Sequence, residues 1–579
     1  MLKIKSLLHY SGKKGILVIV MVMLAGVGFG QAGNWVWARK GISPLFTSQF
    51  GYNVATDISG NVYAIGTSDS TIIFGQDTLA YLYGSFIVKY NSNGNVLWAK
   101  AVGGSTGLVG RSVTTDNSGN VYVTGQFGNL NFSFAGSTVY CTGSTDMFIL
   151  KYDSNGNEIW ARSSTGPGYE TGYSVKTDYS GNVYVFGEFS YPTSGGLYIS
   201  IHLGTFILTI PPLSGDMFLV KYDTNGNVLW AKCADGNATG NININVNGRS
   251  VATDLLGNVY ITGAFYNPHE VFENDTIFNI GPPGFADIYI VKYNTNGNVM
   301  WAKRAGGSGA DQGYSLATDA YNNIYLTGLF QNSNFVFAND TLNNIGSQDF
   351  FIAKYNSLGN EIWAKCGGGI NQESGLSVAT DVSGVFVSGS LTSSTFILGT
   401  DTLIRPLNNQ NPLFLVKFDS IGNVLCRTLL SSGSPYPQGN AISTDFSGNL
   451  YLVGTFSGYS NFILGSDTLN LNPGGGQPYF IAKYNCNGTS VATSEIQNPK
   501  SEITLYPNPA TNNLTIAFGK NIKKVVITIT DITGKLICTS TTSETEKMEV
   551  NTSGFAEGVY IVKIQTGDGV EMKKLIVER

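Results

Sequence analysis

Charge is scarce in this chain: Asp, Glu, Lys and Arg make up 13% of its 579 residues and leave a net charge of -5. No basic stripe is present, and without one the electrostatic footprint of nucleic-acid binding is missing. Histidine is scarcer still. Apart from His9 near the start there are only His202 and His269, which all but excludes a histidine-built metal centre and leaves few bases for nucleophilic catalysis. The six cysteines (Cys141, Cys233, Cys366, Cys426, Cys486 and Cys538) include no CxxC pair, and Cys233 and Cys366 both follow "WAK" two repeats apart, so buried free thiols are expected.

What is plentiful points to strands. The chain carries 72 glycines, 31 tyrosines and 32 phenylalanines, with 42% hydrophobic residues, enough for a substantial all-β core joined by tight turns. The N-terminus has Lys3, Lys5, Lys13 and Lys14, then an apolar run from Ile16 to Phe29, then small residues. That run is short against the roughly 20 residues a spanning helix needs, so residues 1–30 read as a cleaved signal peptide, with no transmembrane segment in the mature chain.

Two motifs recur in step. "KYDSNGNEIWAR" from Lys151 has sister copies from Lys89, Lys221, Lys292, Lys354, Lys417 and Lys483; "GYNVATDISGNVYAIG" from Gly51 has copies from Gly110, Gly172, Gly248, Gly313, Gly375 and Gly439. The period is roughly 65 residues, ample for a four-stranded unit. Each unit parses into a first strand ("SVATD"), a second ("NVYVTG"), a third ("FIVKY") and a fourth ("NVLWAK"). The seventh copy of the third strand runs into "NGTSVATSEIQ" with no fourth strand behind it, while "NWVWARK" at 34–40 stands alone before the first unit. Pairing the two closes a ring and removes both exposed edges, which makes the array a seven-bladed β-propeller over residues 31–487.

With "TDxSGNVYVTG" and "GxDxFIVKY" in view, the chain resembles the bacterial seven-bladed β-propeller repeat family, a scaffold that specifies no single activity. After a linker at 488–503, residues 504–579 change character, with "LYPNPATNNLTI" from Leu505, "ITDITGKLI" from Ile529 and "GVYIVKIQTGDG" from Gly558. Their size and alternation suit a small Ig-like β-sandwich. Tyr506, Pro507, Asn508, Pro509, Gly534, Gly558, Val559 and Tyr560 fall where the C-terminal sorting domain of the type IX secretion system, the Por secretion tail, has its blocks. The resemblance implies the type IX machinery as partner and a secreted or surface-attached destination.

The third-to-fourth turn has the look of a calcium loop, but only three copies offer a carboxylate first, and Leu358 and Ile421 stand where a ligand is needed. A turn explains it better, with Asn or Asp capping the backbone and Gly94, Gly156, Gly226, Gly297, Gly359, Gly422 and Gly488 taking positive φ. The first-to-second turn repeats this with Asp57, Asp116, Asp178, Asp254, Asp319, Asp381 and Asp445, and Asn322 is its single expected departure from glycine. The tryptophans Trp98, Trp160, Trp230, Trp301 and Trp363 suit packing between blades better than sugar stacking. "GGSTG" at 103–107 matches a nucleophile elbow only by chance, since it lies in a β array.

Function is expected on the face of the long second-to-third and fourth-to-first loops, the largest starting at Ser190 and Cys233. Tyr52, Arg111, Tyr173, Arg249 and Tyr314 open their first strands there, and Leu376 and Asn440 complete the set. They are the candidate ligand-binding ring, with packing between blades as the competing reading. Asp146, Asp216, Asp287 and Asp349 before the third strands leave a metal option open, although no metal or other cofactor is assigned. The expected function is a non-catalytic binding protein for a glycan, peptide or matrix ligand. The alternatives are an extracellular polysaccharide-acting hydrolase or lyase and an adhesin spacer.

Overall fold

A computed structural model describes residues 33–486 and 503–578, apart from 44–46, 81, 105–106, 129–130, 191–198, 211–214, 235–245, 332–334, 338–339, 400, 406–411, 431–435, 458–460, 472–475, 509, 532–535 and 567–568. Residues 1–30, expected as a signal peptide, and nearly all of the expected linker lie outside the described residues, as do most of the loop after Cys233 and much of the loop after Ser190.

The β-branched and aromatic runs fold as strands, and the Asn/Asp–Gly punctuation turns them back on themselves. Among the described residues they form seven four-stranded antiparallel sheets, two of them extended by short added strands. Sheet four is representative, with Val246–Thr253, Val259–Phe265, Asp287–Tyr293 and Val299–Ala305 in that order. Its second and third strands are buried along their whole length, because sheets stack on both of their faces. Sheet seven takes Tyr436–Thr444, Leu450–Ser457 and Tyr479–Asn485, and then Asn34–Lys40, which pairs antiparallel with Tyr479–Asn485 and sets Arg39 opposite Ile481. The orphan strand therefore does complete the last sheet.

Each first strand packs against the first strand of the next sheet, and Tyr436–Thr444 packs against Thr47–Thr56, so the succession is circular. Hydrogen bonds trace the same circle. The hydroxyl of Thr115 donates to the carbonyl of Thr56, and Thr177, Thr253, Thr318, Thr380 and Thr444 each donate to the threonine before them; Thr56 donates back to Thr444 at 2.8 Å.

The aspartate following each threonine caps its turn. Asp57 Oδ1 accepts the Ser59 and Asn61 N–H groups while Oδ2 accepts the Asn61 amide and the Tyr63 hydroxyl at 3.0 Å. Gly60, Gly119, Gly181, Gly257, Gly448 and Asn322 take positive φ there, as the turn requires. Sheet six departs from the expectation. "TDVSGV" is one residue shorter, Gly384 pairs directly with Asp381, and it has no left-handed backbone. The third-to-fourth turns are also capped rather than metal-bound in form, with Asp153 Oδ1 accepting from Asn155 and Asn157. Gly488 lies outside the described residues.

A latch joins neighbouring sheets. Trp230 Nε1 and Lys221 Nζ both donate to the Thr295 carbonyl, the second residue of the next sheet's third-to-fourth turn, at 3.1 and 2.9 Å. Trp98 with Lys89, Trp160 with Lys151, Trp301 with Lys292 and Trp363 with Lys354 repeat it, and Trp37 with Lys483 carries it from sheet seven to Ser92 in sheet one. The turn glycine has a second duty here: a Cβ on Gly226 would lie 3.0 Å from the Trp160 ring. The tryptophans are thus taken up between sheets.

From sheet six to sheet seven the latch is replaced by a disulfide between Cys426 and Cys486, with Cα atoms 6.0 Å apart. The expectation of free thiols fails for this pair. Cys426 stands in the tryptophan position, and Cys486 in the position whose carbonyl the other tryptophans reach. Cys141, Cys366 and Cys538 remain thiols.

Seven short hairpins, which the strand parse did not separate, fill the second-to-third connections among the described residues. Their signal was a third repeated string, "IIFGQDTL" from Ile72, "VFENDTIF" from Val271 and "FILGSDTL" from Phe462. Asp77, Asp275 and Asp467 each accept a backbone N–H from the outer strand (Ala99, Ala302 and Ala38) at 2.7 to 2.9 Å. The hairpins thereby cover edges that would otherwise offer unpaired backbone.

The C-terminal module has a three-stranded sheet (Thr504–Tyr506, Asn513–Ile522, Thr545–Asn551) and a four-stranded one (Val525–Asp531, Leu536–Thr542, Gly558–Thr566, Gly569–Val577). Leu514, Ile516, Ile527, Val562, Ile564 and Leu575 form the core between them. Asn508 Oδ1 accepts the Ile576 N–H, and the Tyr560 hydroxyl donates to the Ala556 carbonyl, so these motif residues hold the module's own backbone. Pro509 and Gly534 lie outside the described residues.

Candidate functional site

Every first strand slips its register by one residue at the same place, between Gly51 and Asn53 in sheet one and at matching glycines in the other six. The unpaired residues at these bulges are Tyr52, Arg111, Tyr173, Arg249, Tyr314, Leu376 and Asn440. A bulge re-aims its side chain, which is how the sequence-predicted set comes to stand on one ring. The preceding glycine permits it by letting the strand touch the previous sheet: a Cβ on Gly51 would lie 2.7 Å from the Val453 side chain.

Five of the seven interact in succession. The Arg111 guanidinium lies 5.8 Å from the ring centres of both Tyr52 and Tyr173, and that of Arg249 lies 5.7 Å from Tyr314. These are cation–π distances, so the tyrosines hold the arginines in place without consuming their donors. Arg111 Nε is buried and has no hydrogen-bond partner. Leu376 adds no polar group, and Asn440 is spent on the Gly51 carbonyl.

Sequence reasoning missed two charged neighbours. Glu188 Oε1 accepts the Gly248 N–H at 2.9 Å, and its carboxyl is raised by burial against the opposing pull of Arg249. The Tyr173 phenol is raised by burial and then by Glu188. Lys176 lines the central channel with Thr253, Thr318, Thr380 and Ser443. Its signal was "SVKTD", where the sister copies have Ala, Thr or Ser before the threonine.

Outward of the ring, buried acids meet between sheets. Asp146 faces Glu170, Asp287 faces Asp311 and Asp349 faces Glu373, each pair joining a third strand to the start of the next sheet. All six are buried. Desolvation is the leading cause of raised values at Glu170 (about 9), Asp311 (about 7), Asp287 (about 6) and Asp349 (about 6), with the facing carboxylate adding to the first, second and fourth. Asp216 is also buried, and its Oδ1 accepts the Met217 N–H. Among the described residues no group of three or more His, Cys, Asp or Glu is gathered as for a metal ion.

Comparison with known proteins agrees with this architecture. Residues 504–578 match the family described as secretion system C-terminal sorting domain, and residues 97–126 and 301–335 match the β-propeller repeat. The C-terminal module is a type IX sorting domain, and the protein is secreted or attached to the cell surface. No helix among the described residues is long and apolar enough to cross a membrane. An uncharacterized WD repeat-containing protein of Acanthamoeba polyphaga mimivirus is 28% identical over 61% of this chain and 30% of its own length. A regulatory protein of Caulobacter vibrioides is 25% identical over 20% of this chain and 12% of its own. The chain thus spans less than a third of the curated relatives it matches. Among solved structures, the Neurospora crassa Pan2 WD40 domain aligns with 80% of this chain and 99% of its own at 9% identity and a TM-score of 0.34. An ulvan lyase aligns with 72% and 93% at 10% identity and 0.38.

Proposed function

We propose that the seven sheets are the blades of a propeller and that this propeller is a non-catalytic binding scaffold. Its bulge ring, Tyr52, Arg111, Tyr173, Arg249 and Tyr314, takes an acidic group of a glycan, peptide or matrix ligand at the channel mouth. The Ig-like sandwich at 504–579 is the export tail that engages the type IX machinery. The observation that carries the reading is Arg111, fixed between two tyrosine rings with a buried Nε that has no partner. An oxygen of a planar carboxylate or a tetrahedral sulfate satisfies such a donor, with aromatic surface beside it. Arg249 on the ring and Lys176 in the lumen add charge of the same sign, and Glu188 is set against Arg249.

The test is retention of the full chain on arrays of acidic and neutral oligosaccharides and peptides. Arg111→Ala should cut binding to acidic ligands at least tenfold with an unchanged melting temperature. Equal retention of the variant and the native chain would refute the ring. The second reading, a hydrolase or lyase, rests on Glu188 and Tyr173 sharing that mouth. It requires polymer turnover that disappears in Glu188→Gln.

A further inference from the structure

The three carboxylate pairs between sheets occupy one structural position, yet their charges are met differently. Asp311 accepts the N–H groups of Gly307 and Gln331, and Arg304 brings its guanidinium to 3.6 Å from the facing Asp287. Glu373 accepts three N–H groups, from Gly369, Thr392 and Ser393. At the remaining pair Glu170 faces Asp146 with the Gly168 N–H and Ser164 beside it, but none of them closes a hydrogen bond of normal geometry to either Glu170 oxygen, and both acids are 0% exposed; Asp146 Oδ1, like Asp287 Oδ1 and Asp349 Oδ1, has no partner. The place of Arg304 in that sheet is taken by Ser163, as the registers of the two outer strands show.

Oxygen surrounds the unmet pair. The points where Cβ atoms on Gly166 and Gly168 would sit lie 3.1 and 3.2 Å from Glu170 Oε1. The first is also 3.1 Å from the Ser200 carbonyl and the second 2.5 Å from that of Ser190. The absent side chains leave that space to the carboxylate. Thr142 Oγ1 lies 3.1 Å from Asp146 Oδ2 and 3.4 Å from the Gly166 carbonyl. Carboxylates, carbonyls and a hydroxyl are hard oxygen donors; the Thr142 N–H donates to Asp146 Oδ2 at 2.7 Å and leaves Oδ1 without a donor.

We propose that Asp146 and Glu170 form a divalent-cation site of the Ca2+ class between sheets two and three, the ion supplying the charge that Arg304 supplies between sheets four and five. Two carboxylates neutralise a divalent ion, and the carbonyls of Gly166, Ser190 and Ser200 are further oxygen donors in its surroundings. The ion ties the second-to-third connection of sheet three to the end of sheet two, beside the channel mouth. It is a positioning element rather than a reactive one.

The test uses the full chain, stripped with chelator and titrated with CaCl2 or MgCl2 at pH 7.5, read by melting temperature and by calorimetric binding. Ca2+ should raise the melting temperature with an apparent Kd of roughly 10⁻⁴ to 10⁻³ M, the range of extracellular calcium modules. Mg2+, which demands a tight octahedron, should act at least tenfold more weakly. Glu170→Gln and Ser163→Arg should each fold with a normal transition and lose the Ca2+ response, the second because it restores an internal cation. No Ca2+ shift in the native chain would overturn the site, leaving a shared proton as the pair's only occupant. An undiminished shift in both variants would equally overturn it, since the ion would then bind elsewhere.

Discussion

Six junctions around the ring are held by a tryptophan and a lysine that share one carbonyl, and the junction from sheet six to sheet seven is held by a disulfide. The difference follows from how sheet seven is built. Its outer strand comes from the N-terminus, so its third strand has no turn leading into a fourth, and the carbonyl that a tryptophan would reach has no such turn to hold it. Cysteine replaces tryptophan on one side and the turn serine or threonine on the other. Lys417, without its usual acceptor, turns to its own sheet and pairs with Asp381 and Ser383 at 2.6 and 2.7 Å. A repeat thus keeps a contact in function while changing its chemistry where chain connectivity removes one partner.

Breaking the covalent junction should have the largest effect. The bridged cysteines are 60 residues apart in sequence, and Cys426→Ser should cost about 4 kcal/mol by loop-closure entropy, seen as a drop in denaturant midpoint that reduction of the native chain reproduces. Next is Lys417→Met. It strands a buried Asp381 and should cost about 3 kcal/mol, whereas Lys354→Met, which removes an inter-sheet hydrogen bond, should cost about 2. Trp363→Phe keeps an aromatic ring but loses the indole donor to the Ser420 carbonyl, which Lys354 still serves, so about 1 kcal/mol is expected for the hydrogen bond. Equal losses for the two lysine variants would show that Lys417 had not changed its role.

The opposite rim offers the most selective measurement. Burial, reinforced by Asp146, raises the Glu170 carboxyl from 4.5 to about 9, so the folded chain keeps a proton that the unfolded chain releases between those values. Its contribution is whole below about pH 4.5 and is lost as pH rises to about 9. With chelator present, the melting temperature should fall across that window, and Glu170→Gln should flatten the fall.

Much of this was legible because the repeat is its own comparison set. Strands, turn caps, the closing strand at 34–40 and the ring from Tyr52 to Tyr314 could be read by aligning copies, since period and turn chemistry are local. The hairpins are equally repetitive, but their three-residue strands fall below the length that alternation can reveal. Gly384 was misjudged because a one-residue deletion changes a turn without changing its composition. The Cys426–Cys486 bridge and the Asp146–Glu170 pair depend on which sheet lies beside which, and that enters only with the circle closed. Lys176 is a single substitution whose meaning depends on the lumen being there.

The pairing of Asn34–Lys40 with Tyr479–Asn485 also orders events in time. The first described strand has its partner among the last residues of the array, so sheet seven cannot assemble until nearly all of the array is present. Until then the growing array is an open arc with a raw edge at each end. Closure is therefore the last step in building the array. Its geometry sets a milestone that only a full-length array can reach, and a truncated one stays unsealed and open to proteases.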